Sequence, residues 1–311
     1  MRAFRVVTCI LLAFYFGANA QNKTVAERLG YSADTKLLIL HADDLGVAHS
    51  ENAASITALE KGPLNSASIM VPCSWFPEIA SYARNNKAMD FGLHMTLTSE
   101  WKNYKWGPVS SKDSVPTLLN KNGYFYALVD SLQNYADPKE VEVELRNQVK
   151  KAYRFGIDVT HLDAHMGAAA STPGFTAAYL KVGKEFGLPV LLDGRVYTMN
   201  HDSINSLLDE KTVVVDRILS MEPHTYKQGA KQTYTDILEN LEPGLTFLLL
   251  HPAFDNPEMR AITIEHPDYG SEWRQADYDF LMSDACTEII KKQNIKMITW
   301  REIRDKITRE K

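Results

Sequence analysis

An α/β fold of the (β/α)-barrel type, with seven or eight parallel strands and room for irregularity, is what this sequence of 311 residues predicts. Two observations carry that expectation. Short apolar runs bounded by polar residues or glycine recur at 37–41, 67–71, 90–95, 159–162, 189–192, 213–215, 245–250 and 296–299. Between most of them lie segments of helical character, and strands alternating with helices along a whole chain build parallel βαβ units. Seven or eight such units in about 280 residues suit a barrel. A doubly wound open sheet is the alternative.

Taken in order, the chain opens with Arg2 and Arg5 ahead of an apolar run from Val6 to Phe16, followed by Ala18-Asn19-Ala20. A charged start, a short apolar stretch and a small-x-small site make a signal peptide at 1–20, so an exported, periplasmic or extracellular protein is expected. The run is shorter than the roughly 20 residues that span a bilayer. An uncleaved anchor is the competing reading, and after cleavage no stable membrane insertion is expected. Residues 21–311 then read as a single catalytic domain. Only Cys73 and Cys286 would remain, allowing one disulfide or, as the slightly favoured reading, two buried thiols.

The first run, Leu37-Leu38-Ile39-Leu40, leads straight into His41-Ala42-Asp43-Asp44-Leu45-Gly46, and the third ends in Gly92-Leu93-His94. Residues 101–133, broken by Trp106-Gly107-Pro108, read as a long loop after the third strand. The clearest helix follows. Asp137-Pro138-Lys139-Glu140 supplies an N-cap, a proline at the first helical position and an acid placed to close a capping box. Val141, Leu145, Val149 and Ala152 then share one face, and Gly156 is placed to stop the helix. The fourth run continues as His161-Leu162-Asp163-Ala164-His165, and the seventh ends in Leu250-His251-Pro252.

In a parallel α/β fold the C-terminal ends of the strands form the active-site rim. Four strands here deliver acids or imidazoles to that rim, including five of the nine histidines: His41, His94, His161, His165 and His251. Each feature alone has a plain explanation, since an Asp pair caps turns and a strand-end histidine pairs with backbone. Their coincidence favours chemistry. Two imidazoles and one carboxylate with open positions hold a divalent transition metal that also binds water and substrate. Of the adjacent acids, one can ligate while its neighbour takes a proton from water. Alternate residues of His161-Leu162-Asp163-Ala164-His165 fall on one face, so one can ligate and another orient it.

Composition narrows the field further. With 34 Lys and Arg against 39 Asp and Glu the net charge is −5, and it is −7 without Arg2 and Arg5, which disfavours a general nucleic-acid binder. At 45% hydrophobic and 23% charged residues the chain is globular. There is no Gly-x-Ser-x-Gly elbow, phosphate-binding loop, Gly-x-Gly-x-x-Gly fingerprint or His-Glu-x-x-His helix, which argues against acyl-enzyme, nucleotide and dinucleotide chemistry.

At these residues the sequence resembles the YdjC-like carbohydrate deacetylases, the family that includes chitooligosaccharide deacetylases. The resemblance rests on HADDLGVAHSEN at 41–52, SASIMV at 66–71, DFGLHMTLTSEW at 90–101, THLDAHMG at 160–167 and LLLHPAF at 248–254, in family order across about 210 residues. It implies an irregular (β/α) barrel and metal-dependent removal of acetyl groups from N-acetylated sugars. By position, Asp44, His94 and His165 look like the ligands of one divalent ion, with Mg or Zn ahead of Co or Ni. Asp43 looks like the base. His251 is similar to the histidine that lines the site and protonates the leaving amine. His161 and Asp163 match the flanking positions that support the ligands from behind.

Two departures stand out. The family pattern His-x-Asp-x-His-x-His lacks its last histidine, since Met166-Gly167 follows His165, and Thr98-Ser99-Glu100-Trp101 replaces the usual Gly-x-Pro continuation. Trp101 and Trp106, with Tyr104, then stand as candidates for stacking on sugar faces or, equally, for packing the loop. The expected partner is an N-acetylated oligosaccharide, with no nucleic acid. Oligomeric state is open, a homodimer being one option. Hydrolysis of another amide, ester or phosphoester, and a non-catalytic glycan binder, remain as alternatives.

Overall fold

Seven strands run parallel in one sheet: β1 Lys36–Leu45, β2 Ser66–Ile69, β3 Phe91–Met95, β4 Leu162–Ala164, β5 Arg217–Ser220, β6 Gly244–Leu250 and β7 Lys296–Met297. They belong to a computed structural model that describes residues 23–310; the expected signal peptide at 1–20 lies outside these described residues. Strand order is β4-β3-β2-β1-β6-β5. β1 lies at the centre, buried on both faces, which is why its run is almost continuously apolar. β6 lies along one side from Lys36 to Ala42. On the other side β7 pairs at Leu37 and Leu38, and β2 takes over from His41 onward.

The two sheet edges are joined by an irregular stave. Leu162 bridges Val190, and Asp193 bridges Val215, which leads into β5. The barrel therefore closes through residues 189–193, where the sequence predicts a full strand and the structure has isolated bridges. Pro189 brings a carbonyl but no N–H: Leu162 N–H donates to Pro189 O at 2.9 Å, and the ladder resumes only at Leu191.

Other boundaries shift for similar reasons. The run at 213–215, with Val213 and Val215 buried, lies ahead of its strand, because the ladder with β6 begins at Arg217 opposite Thr246. The run at 159–162 precedes β4, although Thr160 N–H already donates to Phe91 O at 2.9 Å. β1 extends past His41 to Leu45, so the two aspartates belong to the strand itself.

The helix Pro138–Arg154 forms where its apolar face predicts, with Val141, Leu145, Val149 and Ala152 buried and Gly156 at φ 83 just beyond its end. Its N-terminus differs from expectation. Asp137 caps Lys139 N at 2.9 Å, but Glu140 does not turn back; its Oε2 accepts from Thr117 N and Oγ1, so no capping box forms. That bond pins part of the predicted loop. The stretch 101–133 is correspondingly more ordered than expected, with short helical turns at Lys112–Ser114 and Pro116–Leu118, a bridge from Leu119 to Phe125, and the helix Val129–Tyr135 beginning inside it.

At the opposite end of the barrel the helix Trp300–Ile303 plugs the interior. Asp90, just before β3, accepts from Trp300 N and Arg301 N, and the Trp300 indole stacks on His161 at 5.1 Å. Cys73 and Cys286 are buried free thiols. Among the described residues no helix is long and apolar enough to cross a membrane.

Candidate active site

The site begins with a bulge in β1. Ala42 pairs with Ala67 and Leu45 with Ile69, so three steps along β1 match two along β2. Asp44 takes up the extra residue at φ 62, in the left-handed region that non-glycine residues seldom occupy. In a regular strand adjacent side chains point to opposite faces. The bulge re-aims them, and both Asp43 and Asp44 lie on one cavity of about 630 Å3, within the range of small-molecule sites.

Neighbouring strands supply the imidazoles. His94, in β3, places Nε2 3.4 Å from Asp43 Oδ2 and 3.4 Å from Asp44 Oδ1, while its Nδ1 is fixed by Asp163 Oδ1 at 2.8 Å. His165, directly after β4, holds Nδ1 3.2 Å from Asp44 Oδ1 and Nε2 3.0 Å from Glu100 Oε2. His251, after β6, sets Nε2 3.3 Å from Asp43 Oδ1, and its backbone N–H donates to Asp277 at 2.8 Å. These contacts cross four strands.

The two aspartates are electrostatically distinct. Burial and the adjacent Asp44 charge push Asp43 well above the usual carboxylate range. Burial acts on Asp44 in the same sense, but the Arg274 guanidinium and His165 hold it well below that range. Arg274 Nη2 donates to Asp44 Oδ2 at 2.7 Å and Nη1 donates to the buried Glu51 at 2.7 Å. Burial alone would lower His165, yet Glu100 and Asp44 hold it up at about 10. Burial, with Arg274 nearby, drops His251 to about 3.

Whether these residues suit a cation is answered by their free atoms. Among the described residues Asp43 Oδ1 and Asp44 Oδ1 are buried without a hydrogen-bond partner, a costly arrangement unless something else fills their coordination. Ligand atoms of Asp44, His94 and His165 lie within 4.8 Å of one another, and this N,N,O set with an open cavity beside it suits a divalent ion. Asp43, Asp44 and His251 form a second, overlapping group, and His41, His161 and Asp163 a third. The third lies behind the wall. His41 offers its nitrogens to the Ser66 and Ser68 hydroxyls at 2.9 and 3.0 Å, and its Nε2 lies 3.0 Å from Asp163 Oδ2.

His161 and Asp163 thus sit behind Asp44, His94 and His165. Burial disfavours the Asp163 charge, but His94, His161 and His41 around it hold its pKa well below the usual range. The Asp163 carboxylate on His94 Nδ1 fixes the ring with Nε2 toward the aspartates. His161 packs against Gly92, where a Cβ would stand 2.3 Å from its ring. Gly92→Ala is expected to destabilise the protein by about 1–3 kcal/mol through overpacking. A lowered denaturation midpoint checks this; an unchanged one would mean that the ring moves freely.

The two tryptophans separate. Trp101 is on the cavity wall, with Arg274 5.4 Å from its ring centroid. Trp106 is not. Its indole N–H donates to Thr98 O at 2.7 Å and it packs edge-on against Trp101 and His165, so the structure gives it a supporting place behind Trp101 in place of direct stacking on a sugar; Trp101 itself is buried, at 1% exposure. Sequence reasoning missed Glu100, Glu51, Arg274 and Asp277. Glu100 stood inside a quoted motif, one residue before Trp101, whereas Arg274 reaches Asp44 from 230 residues away on the helix Ser271–Leu281 and had no local signal.

Comparison with known proteins agrees with this architecture. Residues 37–292 match the family described as YdjC-like protein. A carbohydrate deacetylase of Thermus thermophilus is 32% identical over 284 residues, covering 90% of this chain and 97% of the relative. One from Thermoanaerobacter pseudethanolicus is 25% identical over 269 residues, covering 85% and 98%. A crystal structure of an Enterococcus faecalis protein named for cellobiose-phosphate cleavage superposes with a TM-score of 0.70 at 19% identity, covering 86% of this chain and 99% of that one, and supports the fold. The irregular parallel barrel and the full-length match to named deacetylases place the chain in the YdjC-like family of carbohydrate deacetylases.

Proposed function

We propose that this carbohydrate deacetylase removes acetyl groups from N-acetylated amino sugars in a short glycan, with one divalent metal ion as cofactor and Asp43 as base. The observation that carries the reading is the pair of buried oxygens that take no hydrogen bond, Asp43 Oδ1 and Asp44 Oδ1, each 3.2–3.4 Å from imidazole nitrogens on one cavity. Asp44, His94 and His165 would hold the ion. When bound, such an ion acts as a Lewis acid toward a carbonyl and lowers the pKa of water toward about 7.

The chain's own residues supply the rest. Arg274 occupies Asp44 Oδ2, leaving Oδ1 as the free donor. Asp163 holds the His94 ring, and Glu100 holds His165. Asp43, with its affinity for protons raised by burial and by Asp44, accepts a proton from the attacking water at its carboxylate. His251 Nε2, 3.3 Å from Asp43, gives the route by which a proton reaches the departing nitrogen. Trp101 forms part of the cavity wall.

The test is acetate release from N-acetylglucosamine oligomers by metal-stripped protein, with Mg, Zn, Co and Ni added back singly. Release that appears only with metal is expected. Release that persists in chelator would overturn the cofactor assignment, and absence of acetate with every metal would overturn the bond assignment.

A further inference from the structure

A stacked tyrosine pair stands just outside the cavity. Tyr126 pairs with Thr98 through a parallel bridge, and Ser99 N–H donates to Tyr126 O at 2.8 Å. Residues paired across such a bridge carry their side chains on the same face. Thr98 Oγ1 in turn donates to the Met166 sulfur at 3.3 Å, and Met166, 46% exposed, is part of the cavity wall. Tyr126 therefore lies beside that wall.

Tyr135, the last residue of the helix Val129–Tyr135, stacks on Tyr126 with ring centroids 5.5 Å and planes 29° apart. It is 65% exposed, and Leu128 at the start of the same helix is 61% exposed. An aromatic ring held by a second ring and open to water is already ordered for a flat apolar ligand face. The helix is tied to the site's own turn: Gln133 Nε2 donates to Ser171 O at 3.0 Å, just past residues His165–Ala170. Gly167, also lining the cavity, has no atom within 4 Å of where its Cβ would stand.

We propose that Tyr135, backed by Tyr126, is an outer subsite on which a sugar ring of the substrate stacks as the glycan leaves the cavity past Met166 and Gly167. The inference rests on the carbohydrate substrate proposed above. Pyranose rings present a face of C–H groups to an aromatic plane and keep their hydroxyls at the edge, in water. Met166 and Gly167 line the cavity, and Met166 is tied through Thr98 to the strand bridge that carries Tyr126, so a glycan longer than the cavity that leaves over Met166 is directed toward this face.

The experiment compares N-acetylglucosamine oligomers of two to six rings with wild type, Tyr135→Ala and Tyr135→Phe. The expected result is a fall in kcat/KM of about five- to tenfold for Tyr135→Ala on the longer oligomers, from one lost stacking contact. The shortest substrate should be unchanged, and Tyr135→Phe should behave as wild type. An equal loss at every length, or none at any length, overturns the subsite. If wild type releases no acetate from any oligomer, the reaction reading fails separately. Calorimetric binding of the six-ring oligomer to wild type and Tyr135→Ala then decides the subsite: weaker binding to the variant supports it, and equal affinity or no binding overturns it. A change in oligomeric state on Tyr135→Ala would identify the face as a self-association surface and overturn it as well.

Discussion

Asp43→Asn is expected to retain metal and lose turnover by about 10²–10⁴-fold, the usual contribution of a positioned general base. The substitution preserves shape and removes only the ability to accept a proton. Its neighbours predict that the fold tolerates it. Asp43 is buried, lies beside the Asp44 carboxylate, and receives no direct bond from Arg274, which serves Asp44 and Glu51. Removing one of two apposed buried carboxyls relieves repulsion, so the thermal midpoint of metal-free protein should not fall. Calorimetric titration with zinc, beside the acetate assay, separates the roles. Full activity in Asp43→Asn would refute the base assignment, and loss of zinc binding would make Asp43 a ligand.

His94→Ala is expected to abolish metal binding and activity together. The imidazole does two things at once. Its Nε2 faces Asp43 and Asp44, and its Nδ1 accounts for Asp163 Oδ1. Truncation removes a donor and leaves a buried carboxylate oxygen without that partner, which costs about 1–3 kcal/mol or more for a charged group. The readout need not be catalytic. Zinc at 100 times its dissociation constant stabilises wild type by about 2.7 kcal/mol, visible as a rise in melting temperature, and this shift should vanish in His94→Ala. A variant that still gains stability from zinc would move the ion to the overlapping group of Asp43, Asp44 and His251.

Much of this site was legible before the fold was known. Asp43, Asp44, His94, His165 and His251 all follow apolar runs, and a strand that must be buried in a parallel barrel announces both its position and its C-terminal end. The structure departs from the sequence pattern in two ways. Strand ends moved where backbone pairing, not hydrophobicity, set the limit, as at Arg217 and around Pro189. Side chains take other roles where a polar group finds a partner that the residue pattern does not show, as with Glu140 on Thr117 and the Trp106 indole on Thr98.

By itself the sequence determined the order of elements, the residue types delivered to the rim and the family, because apolar periodicity and chain order are local properties. The tertiary structure alone decided how the adjacent aspartates divide. A bulge at Asp44 turns both toward the cavity, and Arg274, 230 residues away, fixes one oxygen of Asp44 while the other faces His94 and His165 without a hydrogen bond. That division depends on which charges meet in a buried, low-dielectric space. Such meetings are made by packing between distant segments and leave no trace in the spacing of residues along the chain.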